Sequence, residues 1–225
     1  MGLMRSVLLA GSQSAWLRSH APKWGFVRRA TTRFMPGEHV DDAVRAARAL
    51  AQELGVGSVF TRLGENLAQV SDADEVAAHY LDVYDRAARE ALDIEVSVKP
   101  TQLGLDFDRA ACLGHLGALA ERATARGNWL WIDMESTAYT DVTLEMYHHL
   151  RARHEKVGLC IQAYLYRTKQ DLERLIDAGA GLRLVKGAYL EPKALAYPAK
   201  RDVDENYFAL AQVMIGERAR ARGVR

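Results

Sequence analysis

The sequence has only two cysteines and five prolines among its 225 residues, and it contains no long hydrophobic run. Cys112 and Cys160 lack the close spacing of a metal knuckle or a redox pair, so we expect two buried core thiols in a reducing compartment. No segment approaches the roughly 18 consecutive apolar residues that a membrane-spanning helix requires. These absences exclude a disulfide scaffold and an integral membrane protein.

The sequence also lacks an excess of charge of either sign. Thirty lysines and arginines balance 29 aspartates and glutamates, which gives a formal net charge of +1. Such a chain has no global field that attracts nucleic acid, so we expect no nucleic-acid partner. The basic stretch over residues 1–34 is interrupted too often by polar residues to be a signal peptide. We interpret it as a packing helix of a cytoplasmic protein.

Short β-rich runs alternate with longer runs of helical periodicity through most of the chain. The β-rich runs are SVFTRLG from Ser58, IEVSVKP from Ile94, WLWIDME from Trp129, VGLCIQAYL from Val157 and LRLVKGAYL from Leu182. Repeated strand and helix order is typical of a parallel sheet with helical crossovers. The strand starts recur at roughly 25 to 36 residues, which fits the βα unit of a TIM barrel.

We therefore predict an α/β protein of the (β/α)8 TIM-barrel type. A helical N-terminal segment is expected over residues 1–55, and a catalytic barrel domain over residues 56–225. About five βα units fit where a complete barrel needs eight. We expect the barrel to be incomplete after the fifth strand, and the isolated chain to be poorly folded and inactive because two sheet edges stay open.

Polar residues stand at or near the ends of the predicted strands, where parallel barrels collect their catalytic groups. They are Lys99, Asp133, Glu135, Gln162, Arg183, Lys186 and Tyr189. Strand alternation places Arg183 and Tyr189 on one face of the fifth strand and Lys186 on the other. Gly187 shares the face of Arg183, where it would leave room for a flat aromatic cofactor. The sequence thus predicts a binding site at this edge of the sheet.

Four motifs in this region resemble those of proline dehydrogenase of the monofunctional bacterial, FAD-dependent type. They are VSVKPTQLGL, WLWIDMESTAYTDVTLEMY, VGLCIQAYLYRT and LRLVKGAYLEP, in the family's order and at about its spacing. The resemblance runs from about Trp24 to the end of the chain. It implies oxidation of L-proline to 1-pyrroline-5-carboxylate, the first step of proline degradation to glutamate. It also implies electron transfer to a quinone, and peripheral contact with the inner membrane that holds the quinone.

The resemblance also implies roles for individual residues. Asp133 and Arg183 match catalytic positions, and Lys99 and Tyr189 match residues that contact the substrate. The matches to FAD contacts are Met134, Gln162, Lys186, Gly187 and Ala188. We expect Lys99 and Asp133 to form a buried ion pair that positions the substrate. The paired arginines that bind the proline carboxylate in the family are expected beyond residue 225.

Two other functions remain open at this point. Lys99 or Lys186 could form a Schiff base, as in barrel lyases and aldolases, if a desolvated pocket lowered its pKa. Alternatively, the chain is a non-enzymatic piece of a larger assembly. No metal site is expected, because adjacent His148 and His149 point apart on a solvated helix face.

Overall fold

The computed structural model of the protein describes residues 39–64 and 67–224 continuously, and a few earlier positions singly (residues 20, 24, 25, 27, 36 and 37). By the density of its contacts, the chain divides after Gly55 into two compact units. The first unit contains helix α1, Val40–Leu54, which ends at Gly55 in the left-handed conformation. The packing helix expected over residues 1–34 lies outside the described residues, apart from the single positions.

The second unit is built on a five-stranded parallel sheet in the order β1-β2-β3-β4-β5. The strands are β1 Ser58–Phe60, β2 Ile94–Val98, β3 Leu130–Ile132, β4 Val157–Gln162 and β5 Gly181–Val185. The helices between successive strands are α2 Val70–Arg89, α3 Arg109–Ala125, α4 Thr140–Arg151 and α5 Thr168–Asp177, and α6 Lys200–Met214 and α7 Glu217–Ala221 follow β5. The strands form a curled half-barrel, so the predicted incomplete α/β barrel is confirmed.

The outer face of the sheet carries the apolar core of this unit. Val96 is in register with Leu130 and Val98 with Ile132, and all four side chains are fully buried. Helix α2 packs on β2 and on α3, whereas α4 and α5 pack on β4. Each of these side chains contributes about 1.5–3 kcal/mol by leaving water. This face therefore holds the strands together and leaves the inner face for polar groups.

Two tryptophans fill the inner face near the amino ends of the strands. Trp129 and Trp131 stack with their ring centroids 5.4 Å apart, and Trp131 donates a hydrogen bond to Glu95 at 2.6 Å. A β-carbon at Gly158 would lie 2.3 Å from the indole of Trp131, and one at Gly181 would lie 2.3 Å from that of Trp129. Only glycine therefore fits beneath each indole.

The fifth strand ends earlier than the sequence predicts. β5 stops at Val185, so Lys186 and the residues up to Tyr189 lie in the loop that follows it. The chain turns away at Gly187, whose φ of 114° is strained for any residue with a β-carbon. Within the described part of the chain, no helix is both long and apolar enough to cross a membrane.

Candidate active site

Three polar side chains from three strands meet on the inner face of the half-barrel. Asp133 follows β3 directly and forms an ion pair with Arg183 of β5 through Oδ1 and Nη2. Ser97 of β2 donates to the same Oδ1 at 2.7 Å and accepts from the same Nη2 at 3.0 Å. Ser97 is fully buried, while the side chains of Asp133 and Arg183 are 16% and 35% exposed. The cluster thus joins one buried hydroxyl group to two partly accessible charged groups.

The ion pair of Asp133 and Arg183 lies beside a buried cysteine on the strand between them. Cys160 of β4 is in register with Arg183 of β5. Burial raises the pKa of the Cys160 thiol, and the nearby guanidinium of Arg183 acts in the opposite direction. Cys160 therefore remains a thiol, which agrees with the expected inert core role.

Two buried polar atoms near the cluster have no hydrogen-bond partner in the described part of the chain. Gln162 donates from Nε2 to the carbonyl of Met134 at 3.0 Å, but its Oε1 is buried without a partner. The Nε of Arg183 is buried and unpartnered as well. A buried polar atom left unsatisfied costs about 1–3 kcal/mol. A bound ligand that carries both hydrogen-bond donors and acceptors would recover this free energy.

A flavin is a ligand of this kind, because it carries both hydrogen-bond donors and acceptors. The pyrimidine edge of an isoalloxazine ring carries one N–H donor beside carbonyl acceptors, which matches a free glutamine oxygen and a free arginine N–H. Met134, which follows Asp133 in the chain, is buried, and its backbone carbonyl accepts the hydrogen bond from Gln162. The donor set of the inner face is therefore compatible with the cofactor that the sequence resemblance implies.

The loops at the carboxyl ends of the strands are tied to one another by buried side chains. Glu135, after β3, accepts hydrogen bonds from the backbone N–H and hydroxyl of Thr101, at 3.0 and 2.5 Å, and so holds the 3-10 turn Pro100–Leu103 after β2. Gln102 in that turn donates to the carbonyl of Arg62 after β1 at 2.9 Å. These bonds fix the edge of the sheet on which the cluster lies.

A second tie crosses from the loop after β3 to the loop after β5. Glu191 accepts hydrogen bonds from the backbone N–H and the hydroxyl of Thr137, at 2.8 and 2.5 Å. The loop that contains Ala188 and Tyr189 is thereby anchored at its far end. Ala188 is exposed and Tyr189 is half-buried.

Two expectations for this site require correction. Among the described residues, the ion-pair partner of Asp133 is Arg183, whose side chain reaches across β4, and not Lys99. Lys99 is half-buried and precedes the 3-10 turn that begins at Pro100. The space beside Gly187 is not open either, since a β-carbon there would lie 2.2 Å from the ring of Tyr164.

Lys186 lies apart from the cluster. Its ammonium forms an ion pair with Asp204 of α6, and its side chain is 52% exposed. Strand alternation predicts this separation, because Lys186 and Arg183 leave opposite faces of the sheet. The hydrogen bonds of Lys186 and Lys200 lower the pKa of Asp204. An exposed, ion-paired lysine lacks the desolvation that a Schiff-base lysine needs, so this arrangement disfavours Lys186 in that role.

Ser97 and Tyr164 also belong to this region, although neither was predicted from the sequence. Alternation along IEVSV places Ser97 on the same side as Lys99, which is the signal that could have revealed it. Nothing in the sequence indicates that the Tyr164 ring covers Gly187. Among the described residues, no group of three or more histidines, cysteines or carboxylates could hold a metal ion.

Comparison with known proteins identifies the family of the chain. The family model described as proline dehydrogenase matches residues 43–224. Proline dehydrogenase 1 of Bacillus subtilis subsp. natto is 34% identical over 213 residues, covering 95% of this chain and 70% of the relative. Proline dehydrogenase of Deinococcus radiodurans is 35% identical over 180 residues, covering 78% of this chain and 58% of the relative.

Solved structures show the same fold. Proline utilization A (PutA) from Bdellovibrio bacteriovorus superposes with a TM-score of 0.73 at 22% identity, covering 84% of this chain. A PutA variant from Bradyrhizobium japonicum superposes with a TM-score of 0.69 at 22% identity, covering 91% of this chain. This chain spans only 24% and 25% of those two long chains. The chain belongs to the proline dehydrogenase family of oxidoreductases.

Proposed function

We propose that residues 56–225 carry an FAD and proline site, and that the protein oxidises L-proline to 1-pyrroline-5-carboxylate with a quinone as electron acceptor. Proline is the substrate of proline dehydrogenases, and the family is flavin-dependent. The observation that carries the proposal is the cluster of Asp133, Arg183 and Ser97 on the inner face. When bound, FAD supplies the two-electron acceptor for this oxidation.

Arg183 is the residue proposed to stabilise negative charge that develops beside it. Its guanidinium carries a permanent charge, and its contacts with Asp133 and Ser97 fix its position. A preorganised cation needs no rearrangement during the reaction, which is why such groups contribute strongly to catalysis. The unpartnered Nε of the same side chain is the donor proposed to meet the cofactor.

Asp133, Lys99 and Tyr189 are proposed to bind and orient the substrate. Proline carries a secondary ammonium and a carboxylate, so a carboxylate such as Asp133 suits the former and a cation such as Lys99 suits the latter. Tyr189 lies in the loop after β5, anchored by Glu191, from which an aromatic ring could border the apolar ring carbons. Fixing the substrate in this way accounts for much of an enzyme's rate advantage.

The remaining proposed cofactor contacts divide into two groups. Gln162 and Met134 lie next to the cluster, and the free Oε1 of Gln162 is the proposed acceptor for the cofactor. Lys186, Gly187 and Ala188 follow β5, where their backbone rather than the Lys186 side chain would contact FAD. A quinone acceptor implies peripheral contact with a membrane, and this contact is part of the proposal.

The direct test is to purify the protein, expressed from its complete gene, and record its visible spectrum. We expect a yellow protein with non-covalently bound FAD that bleaches when proline is added and reduces a quinone analogue. The matched variant Asp133→Asn should retain FAD but lose most of the proline-dependent bleaching, because the amide removes the charge that orients the substrate.

Three outcomes would contradict the proposal. A folded protein that stays colourless after FAD is added would exclude the cofactor. FAD binding without proline-dependent bleaching would exclude the substrate. Borohydride trapping of a carbonyl substrate on Lys99 would instead support the Schiff-base lyase.

A further inference from the structure

Ser97 occupies the centre of the polar cluster, although its hydroxyl carries no charge. Its Oγ lies 2.7 Å from Oδ1 of Asp133 and 3.0 Å from Nη2 of Arg183, and the residue is fully buried. Ser97 belongs to β2 and is in register with Trp131 of β3, so the pairing of these two strands fixes its backbone position. The hydroxyl group is therefore held in a fixed position, and both charged groups form hydrogen bonds with it.

Chemistry dictates the direction of both hydrogen bonds. A carboxylate has no proton to give, so the hydroxyl must donate to Asp133; a guanidinium has no lone pair to offer, so the hydroxyl must accept from Arg183. One hydroxyl can satisfy both demands at once, because it has one donor and two acceptor sites. An alanine at this position would satisfy neither.

The ion pair alone does not fix the plane of the guanidinium. Asp133 and Arg183 meet through one oxygen and one nitrogen, not through the two parallel bonds of a bidentate pair. A single contact leaves the guanidinium free to rotate about it. The bond from Nη2 to Ser97 adds a second contact from another strand and restricts that rotation.

We propose that Ser97 is a positioning residue, which orients the guanidinium of Arg183 so that its unpartnered Nε faces the cofactor. This inference rests on the proposed function. Ser97 touches neither substrate nor cofactor in this scheme, and it acts only through Arg183 and Asp133. The expected effect of its loss is slower chemistry with little change in proline affinity.

The test compares Ser97→Ala with Ser97→Cys and with a matched control, Thr143→Val, in the FAD-loaded enzyme. Thr143 is a fully buried residue of α4 whose hydroxyl has no hydrogen-bond partner among the described residues. We expect Ser97→Ala to slow proline-dependent flavin reduction about tenfold with less than a twofold change in KM, since the hydrogen bonds of the Ser97 hydroxyl to Asp133 and Arg183 are both lost. The rate of flavin reduction in Ser97→Cys, whose thiol forms only weak hydrogen bonds, should lie between those of Ser97→Ala and wild type. Thr143→Val should behave as wild type.

A second measurement keeps the inference separate from the proposed function. The side-chain N–H signals of Arg183 in a protein labelled with 15N-arginine, assigned by their loss in Arg183→Lys, should be sharp in wild type and broadened by rotation in Ser97→Ala. This signature needs no flavin and no activity, so it stands even if the proposed function fails. Unchanged signals, or equal kinetics in Ser97→Ala and Thr143→Val, would overturn the inference. If Ser97→Ala does not fold, unchanged signals in Ser97→Cys would overturn it.

Discussion

Arg183 and Asp133 are joined by a single contact, so the other N–H groups of the guanidinium are not used by this ion pair. The described bonds of the pair join only Oδ1 and Nη2, with Ser97 as the third member. A planar fork with an uncommitted N–H differs from an ammonium, which is a hydrated point charge without a preferred plane. The identity of the cation should therefore matter more than its charge.

We predict that Arg183→Lys lowers kcat/KM for proline at least tenfold in the FAD-loaded enzyme. The ammonium can keep an ion pair with Asp133, but it cannot also present a planar donor to the cofactor. Steady-state kinetics with a quinone analogue measure the effect. Arg109→Lys, in an exposed pair with Glu145, is the control and should leave kinetics unchanged. Wild-type turnover in Arg183→Lys would show that Arg183 only stabilises the fold.

Strand position and residue type were sufficient to predict Asp133 and Arg183 as members of one site. Arg183 lies within a strand of otherwise apolar residues and Asp133 directly follows one, and burial of a charge requires a partner. The identity of that partner was predicted wrongly for Asp133, because the choice between Lys99 and Arg183 depends on how far each side chain reaches across the sheet. Ser97 was missed although alternation places it on the same face as Lys99, because a small hydroxyl by itself does not indicate a site.

At the scale of elements, a large side chain on one part of the sheet packs against a glycine on another strand. Each indole on the inner face lies over a glycine: Trp131 of β3 over Gly158 of the neighbouring strand β4, and Trp129, just before β3, over Gly181 of β5. Gly158 is the second residue of β4, the strand that ends at Gln162 of the candidate site.

We predict that Gly158→Ala destabilises the protein by about 1–3 kcal/mol, the usual cost of overpacking a filled core. The new β-carbon would overlap the Trp131 ring, which the stacked Trp129 holds in place. The control is Gly114→Ala in α3, where the added methyl group meets nothing within 4 Å. That change should stabilise the helix by about 0.5–1 kcal/mol. Urea unfolding measures both, and equal effects would contradict the packing argument.

We predict that Thr101→Val loosens the 3-10 turn Pro100–Leu103 and lowers stability by about 1.5–3 kcal/mol, as expected for a lost hydrogen bond to a charged group. The substitution keeps the side-chain shape but removes the hydroxyl that donates to buried Glu135. Hydrogen exchange of the turn's amides should accelerate. Thr124→Val, at an exposed position on α3, should change stability by no more than about 0.5 kcal/mol. Unchanged amide exchange would mean that the backbone bond to Thr101 suffices.

The number, order and direction of the strands follow from the repeated pattern of apolar runs and helical periodicity. All five predicted strands are present, and their parallel order is the one that helical crossovers require. Their ends were less predictable. LRLVKGAYL continues in β-type residues past Val185, but the positive φ of Gly187 and the Tyr164 ring beside it end β5 there. That contact joins residues distant in sequence, and no local pattern predicts it.

Across the second unit, ion pairs at the surface join elements to one another. Three aspartates have pKa values lowered by hydrogen bonds from neighbouring cations. They are Asp85 of α2 with Arg122 of α3 and with Arg126 directly after α3, Asp177 of α5 with Arg218 of α7, and Asp204 of α6 with Lys186 and Lys200. Each pair contributes modestly because water and salt screen exposed charges.

We predict that stability falls as the pH drops below about 4, partly through these three aspartates. Their pKa values are lower in the folded than in the unfolded state, so each carboxylate stabilises the fold fully above its unfolded pKa. The contribution is lost as the pH falls through the folded pKa. Melting temperatures between pH 6 and pH 3 should decline less steeply in a variant with asparagine at all three positions. Parallel curves for variant and wild type would exclude these pairs as the cause.

The indole and glycine pairs of the inner face also constrain how the sequence can change over generations. A larger residue at position 158 is tolerable only after the indole of Trp131 has been replaced by something smaller, and the same order applies to Gly181 and Trp129. Each pair should therefore be inherited together. Among homologues, an aromatic residue at position 131 should be accompanied by glycine at position 158, and sequences that lost the aromatic ring should be the ones in which the glycine varies.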